Sequence, residues 1–163
     1  MSYPPPTYHG DSGETSAWLR ASDHPPELDL RQGGAAHFLA TGAATEGRFG
    51  LYRWDMGPKA GGPAPHFHRT MSESFFILSG SVTLHDGTDW RPTGAGDFAY
   101  VPEGGVHGFR NDSDEPASML ILFAPGAPRE AYFRGLVELG EGRWTPSEQE
   151  LADFFVEHDN HFI

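Results

Sequence analysis

The 163-residue chain contains no cysteine and only one lysine, Lys59. Without cysteine it can form no disulfide bond, and no thiolate is available to bind a metal. Any metal site must therefore use nitrogen and oxygen ligands. The lack of disulfides also fits the reducing cytoplasm, which is where we expect the protein to act.

Positive charge and long apolar runs are also scarce. Lysine and arginine number 11 against 23 acidic residues, so the formal net charge is −12 at pH 7. Nucleic acids and anionic membrane surfaces bind basic patches, and we expect neither as a partner. No segment approaches the roughly 20 apolar residues of a membrane span. The opening residues, MSYPPPTYHG, lack the charged-then-apolar layout of a secretion signal.

Short apolar segments separated by turn sequences fill the middle of the chain. Segments such as RFGLYRWDM, DFAYVP and SMLILFA alternate with turns such as TGAGD and NDSDEP. Many short strands at this spacing are typical of a β-sandwich or β-barrel. Proline is frequent near the N terminus, where apolar periodicity is weak. We expect an extended arm over 1–26, a β-barrel over 27–126 and a helical extension over 127–163.

Two segments of the extension have helical periodicity. Residues 128–140 place apolar side chains at 132, 133, 136 and 137 before a glycine stop. Residues 145–159 predict a second helix, with Thr145 as N-cap, Pro146 at the first helical position and Glu148 completing a capping box. The predicted fold is all-β, a barrel followed by two C-terminal α-helices.

The segment ESFFILSG predicts a strand that is covered on both faces. Side chains alternate along a strand, so Phe75 and Ile77 share the face of Glu73, while Phe76 and Leu78 point the other way. The barrel interior would cover one face. The other needs the C-terminal helices, the N-terminal arm or a second subunit. We expect a homodimer, with coverage by the helices of the same chain as the alternative.

The stretch HFHRTMSE brings two histidines and a glutamate together. On a strand, His66 and His68 would point to one face and Phe67 to the other. With Glu73 they could form three corners of a metal coordination sphere. An isolated HXH pair is more often two ordinary strand histidines, so a metal site needs a further ligand. The terminal HDNHF lies far from this stretch, and we assign it no site role.

A later segment, GAGDFAYVPEGGVHGFRN, supplies the further ligand through a resemblance. The chain resembles the cupin superfamily, whose two motifs are G(X)5HXH(X)3–4E(X)6G and G(X)5PXG(X)2H(X)3N. The second motif matches at all its fixed positions, which are Gly96, Pro102, Gly104, His107 and Asn111. The first matches at His66, His68, Glu73 and Gly80. It departs at its leading glycine, where Ala60 stands immediately before Gly61 and Gly62.

The resemblance implies a jelly-roll barrel that holds one divalent transition metal ion per chain. Its ligands would be His66, His68, Glu73 and His107. Imidazole and carboxylate suit Ni, Mn, Fe, Co, Cu or Zn, so the identity of the metal stays open. Three neutral imidazoles and one carboxylate around a divalent ion leave a charge of +1. A five- or six-coordinate sphere would leave room for water, substrate or dioxygen.

Within the superfamily, the chain more closely resembles single-domain, quercetinase-like cupins. The resemblance rests on the HXH(X)4E spacing, the lead-in GDFAYVP and the tail FRGLVELGEG. It implies a metal-dependent dioxygenase that acts on an enolisable aromatic or flavonol-like small molecule, with dioxygen as co-substrate. Glu73 would be a metal ligand, a catalytic base or both. The alternatives are a metal-dependent isomerase or decarboxylase, and a non-enzymatic cupin that binds a small molecule.

Overall fold

A computed structural model describes residues 2–163, and β-strands dominate it. Two helices, α1 (Arg129–Gly140) and α2 (Glu148–Glu157), follow ten of the strands. The strands in chain order are β1 Leu28–Asp29, β2 Ala35–Ala40, β3 Gly50–Met56, β4 His66–Phe67, β5 Ser72–Ser79, β6 Thr83–His85, β7 Trp90–Pro92, β8 Phe98–Val101, β9 Gly108–Arg110, β10 Ala117–Ala124 and β11 His161–Phe162. The prediction of an all-β fold with two C-terminal helices is confirmed.

The strands form antiparallel sheets that enclose one interior. The six-stranded sheet has the order β1-β2-β3-β10-β5-β8, and a three-stranded sheet has the order β7-β6-β9. Strand β4 pairs with β11 at the C terminus. Phe75 of the large sheet meets Phe109 of the small one at 5.9 Å between ring centroids. The two sheets therefore face each other across a shared core, as in a jelly-roll barrel.

Strand β10 lies at the centre of the large sheet because its sequence, ASMLILFA, is apolar on both faces. It pairs with β3 on one side and β5 on the other. Met119, Ile121 and Phe123 point inward and are fully buried. Leu120 and Leu122 point outward and are only partly buried. The strand thus supports the interior wall on which the site residues stand.

The helices close one opening of the barrel. Phe133 of α1 packs against Tyr52 and Trp54 at centroid distances of 5.1 and 5.0 Å. The helices do not cover the outer face of β5, where Phe76 and Leu78 remain 41% and 39% exposed. The alternative that the helices cover this face within one chain is therefore wrong.

Three local features differ from the sequence-based expectations. Helix α2 begins at Glu148 with Ser147 as N-cap, and Ser147 forms the capping box with Glu150 instead of Thr145 with Glu148. The sequence TPSEQE contains two overlapping pairs with capping-box spacing, and only the later one is used. Strands β7 and β11 were not predicted, because their short sequences are recognisable as strands only through their pairing with β6 and β4.

The N-terminal arm, residues 2–26, forms no helix or strand. Arg20 fixes its end to the barrel by donating to both carboxylate oxygens of Glu27 at 2.7 Å and to the carbonyl of Phe38 at 3.3 Å. Farther out, Tyr3 and Leu19 are each 99% exposed. Neither helix of the described chain has the length and apolarity that crossing a bilayer requires.

Candidate metal centre

The four predicted ligands converge inside the barrel. His66 and His68 come from β4 and the residue after it, and Glu73 comes from β5. A pair of backbone hydrogen bonds, 2.9 and 2.8 Å long, joins His66 to His107 across the small gap between their segments. All four side chains are buried, and one ligand atom from each lies within 4.8 Å of the others. This proximity is what a single metal ion requires.

Glu73 lies at the centre of the group. Its Oε2 lies 2.7 Å from His107 Nε2 and 3.0 Å from His68 Nε2. Burial by itself would raise the pKa of the Glu73 carboxyl, but the adjacent His107 and His68 rings outweigh it and hold the pKa well below its usual range. The carboxylate is therefore charged at neutral pH and is ready to act as a ligand.

Backbone carbonyls orient all three imidazoles. Nδ1 of His66 donates to the carbonyl of Ala64 at 2.9 Å, and Nδ1 of His107 donates to that of Gly105 at 2.9 Å. Nδ1 of His68 donates to the carbonyl of Asp159. A carbonyl can only accept, so Nδ1 carries the proton in each ring. In the neutral ring the Nε2 lone pair then faces the centre, as metal ligation requires.

The pKa values of two of these imidazoles shift in opposite directions. Burial lowers the pKa of His66 to about 4, and the neighbouring His107 adds to this effect. Burial also disfavours charge on His107, but the Glu73 carboxylate outweighs it and raises the pKa of His107. Three nitrogen donors and one carboxylate oxygen are a donor set that suits divalent transition metals. The residues present therefore fit such an ion.

The C-terminal segment reaches the site, contrary to the expectation that HDNHF has no role there. Besides binding His68 through its carbonyl, Asp159 uses its carboxylate to accept hydrogen bonds from the backbone of Arg69 and Thr70 and from the Thr70 hydroxyl. Phe162 pairs with His66 through β11 and β4. The sequence placed this segment about 90 residues from the HXH pair, and only folding brings it close.

A cavity of about 600 Å³ opens beside His66 and Glu73. Its walls are mainly aromatic and aliphatic, with Trp54, Phe109 and Phe133 among the lining residues. Ligand pockets of small-molecule-binding proteins have volumes of roughly 300–1,000 Å³ and similar apolar walls. The cavity is thus large enough for an aromatic molecule that touches the candidate metal centre.

One polar residue of this cavity wall was missed by the sequence analysis. Arg129, the first residue of α1, is only 3% exposed and lines the cavity. In the sequence it is an ordinary arginine near the start of a helix, and no spacing distinguishes it. Burial lowers the pKa of its guanidinium, and the charge of Glu73 opposes this shift.

Comparison with known proteins identifies the family. The cupin domain family, Cupin_2, matches residues 52–123, which contain all four converging side chains. The chain belongs to the cupin superfamily. The match confirms the resemblance that the two motifs indicated, and it accounts for the jelly-roll barrel.

The chain is also similar to individual cupins whose names state an activity. The chain is 32% identical to quercetin 2,3-dioxygenase of Bacillus subtilis (strain 168) over 110 residues, 68% of this chain and 32% of that protein. A sugar phosphate isomerase of the cupin superfamily from Silicibacter pomeroyi superposes with a TM-score of 0.50 at 28% identity, covering 63% of this chain and 67% of that one. A predicted oxalate decarboxylase from Thermotoga maritima gives 0.57 at 23% identity, covering 67% and 99%.

These cupins differ in their named activities. The chain also spans only 32% and 50% of the length of the curated relatives it matches. The likeness to the Thermotoga protein concerns the fold, since the identity is below a quarter. The shared features are the cupin barrel and, in this chain, a buried cluster able to bind a metal ion. The reaction has to be argued from the site itself.

Proposed function

We propose that this cupin is a metal-dependent dioxygenase that acts on an enolisable aromatic or flavonol-like small molecule. The observation that carries the proposal is the buried cluster of three imidazoles and one carboxylate at the wall of an aromatic cavity. The similarity to quercetin 2,3-dioxygenase supports the reaction type. The metal-ligand residues would be His66, His68, Glu73 and His107.

One divalent transition metal ion per chain would supply Lewis-acid chemistry and a template for the substrate. Ni, Mn, Fe, Co, Cu and Zn all suit the donor set. The carbonyl partners of the three Nδ1 atoms hold the imidazoles in the tautomer and direction that ligation needs. The protein therefore contributes a pre-oriented site, which needs little rearrangement when the ion binds.

Glu73 has a second role in this proposal, as the base that removes the substrate hydroxyl proton. Its Oε2 faces Nε2 of both His68 and His107, whereas Oε1 accepts no hydrogen bond from any residue of the described chain. Glu73 also lines the cavity. A free carboxylate oxygen at the cavity wall can accept a proton from a hydroxyl that is positioned there. The aromatic walls would orient the ring and exclude water from it.

A metal-dependent isomerase or decarboxylase is the second candidate. It would use the same four ligands without dioxygen, and the similarity to the sugar phosphate isomerase favours it. A cupin that binds a small molecule without converting it is the third possibility that the test must separate from the other two.

The test combines metal analysis with an oxygen electrode. The purified protein should contain about one transition metal ion per chain, and His66→Ala should lose it because three ligands bind more weakly than four. With flavonols and enolisable phenols, the protein should consume dioxygen in step with substrate loss. Turnover without gas uptake would identify the isomerase or decarboxylase, and binding without turnover would identify the non-enzymatic cupin. Absence of metal, together with no thermal stabilisation by any of the six ions, would refute all three.

A further inference from the structure

Arg129 is a buried cation that forms no salt bridge with any residue of the described chain. Its Nη1 donates to the carbonyl of His158 at 2.5 Å, and its Nη2 donates to the side-chain oxygen of Asn160 at 3.2 Å. Both acceptors are uncharged. Its Nε is buried and has no hydrogen-bond partner in residues 2–163. The charge of Glu73 attracts the guanidinium without forming a salt bridge with it. Burying an ion that has no directly paired counter-charge costs several kcal/mol, so an arginine in this state calls for an explanation.

Aromatic rings hold the guanidinium in place. Its Cζ lies 4.3 Å from the ring centroid of Tyr132, 5.0 Å from that of Phe123 and 5.6 Å from that of Phe133. Such cation–π contacts recover part of the lost solvation but neutralise no charge. They also restrict the plane of the guanidinium, which makes it a pre-oriented donor.

Arg129 and the candidate metal centre belong to the same cavity. Phe123, which lies under the guanidinium, is the cross-strand neighbour of Glu73 and stands 6.2 Å from the His68 ring. Arg129, His66 and Glu73 all line the cavity wall. With a divalent ion in place, the metal centre has a charge of +1 and Arg129 adds another. An apolar cavity with two net positive charges would bind an anion favourably.

We propose that Arg129 is the anion-binding residue of this cavity, and that the substrate is a hydroxylated aromatic acid. Its carboxylate would pair with the Arg129 guanidinium, while its hydroxyl reaches Glu73 and the metal centre. The proposal rests on the proposed function for the site, and it narrows the substrate class from neutral flavonol-like molecules to anions. Arginine suits this role because its planar fork matches the geometry of a carboxylate.

The test compares acids with their neutral amides. Calorimetry on the metal-loaded protein would measure binding of 3-hydroxybenzoate, 4-hydroxycinnamate and 6-hydroxy-2-naphthoate, each beside its primary amide. At least one acid should bind about tenfold or more tightly than its amide, as expected for a buried charge-assisted pair. The proposal is wrong if no acid of the set is preferred.

Variants of Arg129 test whether this residue is responsible for the preference for acids over amides. In Arg129→Gln, loaded to the same metal content, the preference for the acid should disappear, and in Arg129→Lys part of it should remain. Arg134→Gln, which removes an exposed arginine from the same helix, should keep it. If Arg129→Gln does not fold, Arg129→Lys serves as the test, because a carboxylate that binds elsewhere would be held as tightly as by the parent protein.

The outcomes separate this proposal from the dioxygenase proposal. Preference for acids without dioxygen consumption would leave Arg129 as the anion-binding residue and reject the dioxygenase reaction. Dioxygen consumption with neutral phenols and no preference for acids would support the reaction and overturn the role of Arg129.

Discussion

Glu73 shows how one residue can combine two chemical tasks. Its carboxylate is buried among histidines that keep it charged, so it is available as a ligand at neutral pH. The same carboxylate faces the cavity with one oxygen free of hydrogen bonds from the described residues. Ligation and proton transfer can be separated experimentally, because an amide keeps the oxygen donor but not the basicity.

We predict that Glu73→Gln retains much of its metal and loses turnover per bound metal by about 10²–10⁴-fold, the usual contribution of general-base catalysis. Metal content and rate should be measured on the same samples, so that loss of the ion is not mistaken for loss of chemistry. Glu138→Gln, which alters a carboxylate on the outer part of α1, is the matched control. An unchanged rate per metal in Glu73→Gln would leave Glu73 as a ligand only.

The segment from His158 to Phe162 supplies none of the proposed ligands, but it holds the residues around them in position. Asp159 holds both the His68 imidazole, through its carbonyl, and the turn at Arg69 and Thr70, through its carboxylate. That turn links the HXH pair to Glu73. Shortening the chain at this end would therefore affect the ligands even though none of them is removed.

We predict that Asp159→Ala lowers the free energy of unfolding by about 2 kcal/mol, because it deletes several charge-assisted hydrogen bonds to the turn. It should also weaken metal binding, since the position of His68 is less restricted. Urea unfolding and metal titration measure the two effects. Asp153→Ala, on the exposed surface of α2, is the control and should change neither. Parent-like metal affinity in Asp159→Ala would contradict the role of this segment.

The anchor of the N-terminal arm is sensitive to acid. Burial favours the neutral form of Glu27, but hydrogen bonds from the Phe38 amide and from Arg20 outweigh it and lower the pKa of Glu27. A carboxyl with a lower pKa in the folded state stabilises the fold above its unfolded pKa of about 4.3. This stabilisation is lost as the pH falls through the lower folded value.

We predict that Glu27→Gln is less stable than the parent by about 1 kcal/mol at pH 7, since the network is partly screened by solvent. The difference should shrink as the pH falls below about 4, where the parent also loses its carboxylate. Urea titrations at neutral and acidic pH measure it. Glu46→Gln, an exposed carboxyl, should match the parent throughout. A difference that is independent of pH would show that packing and not charge is responsible.

At the scale of the whole molecule, two apolar surfaces remain open. On the outer face of the large sheet, Phe98 and Tyr100 are 65% and 60% exposed beside Phe76. On the arm, Trp18 and Leu19 have exposed fractions of 54% and 99%. Monomeric proteins rarely expose contiguous apolar patches of this kind. We propose a homodimer in which a second copy of the chain covers the sheet face, with its arm as part of the contact.

Light scattering at micromolar concentration should therefore give twice the chain mass of 17.8 kDa. Phe98→Asp should shift the protein to the monomer mass, because a charge at the centre of an apolar interface is left without a partner. Val156→Asp changes an exposed apolar residue of α2 and should leave the dimer intact. A parent protein with the monomer mass would refute the dimer.

The sequence by itself determined the barrel and the residues proposed as ligands. Alternating apolar residues and turn sequences predict the strands because side chains alternate across a sheet whatever the tertiary context. Residue types and spacing pointed to His66, His68 and Glu73, the resemblance to the cupin motifs added His107, and the structure brings all four together. The position of the cap of α2 was not determined, since two overlapping pairs, Thr145–Glu148 and Ser147–Glu150, have the same local chemistry.

Only the tertiary structure decided what surrounds those residues. Arg129 and Asp159 are adjacent to the site because α1 closes the barrel and the chain then returns through β11, and such long-range contacts leave no periodic trace in the sequence. The sequence likewise did not determine where the helices pack, because an apolar helix face fits the mouth of the barrel and the outside of a sheet equally well. The physical reason is that local sequence periodicity indicates which side of a helix or strand is buried. Which other element covers that side depends on the packing of the whole fold.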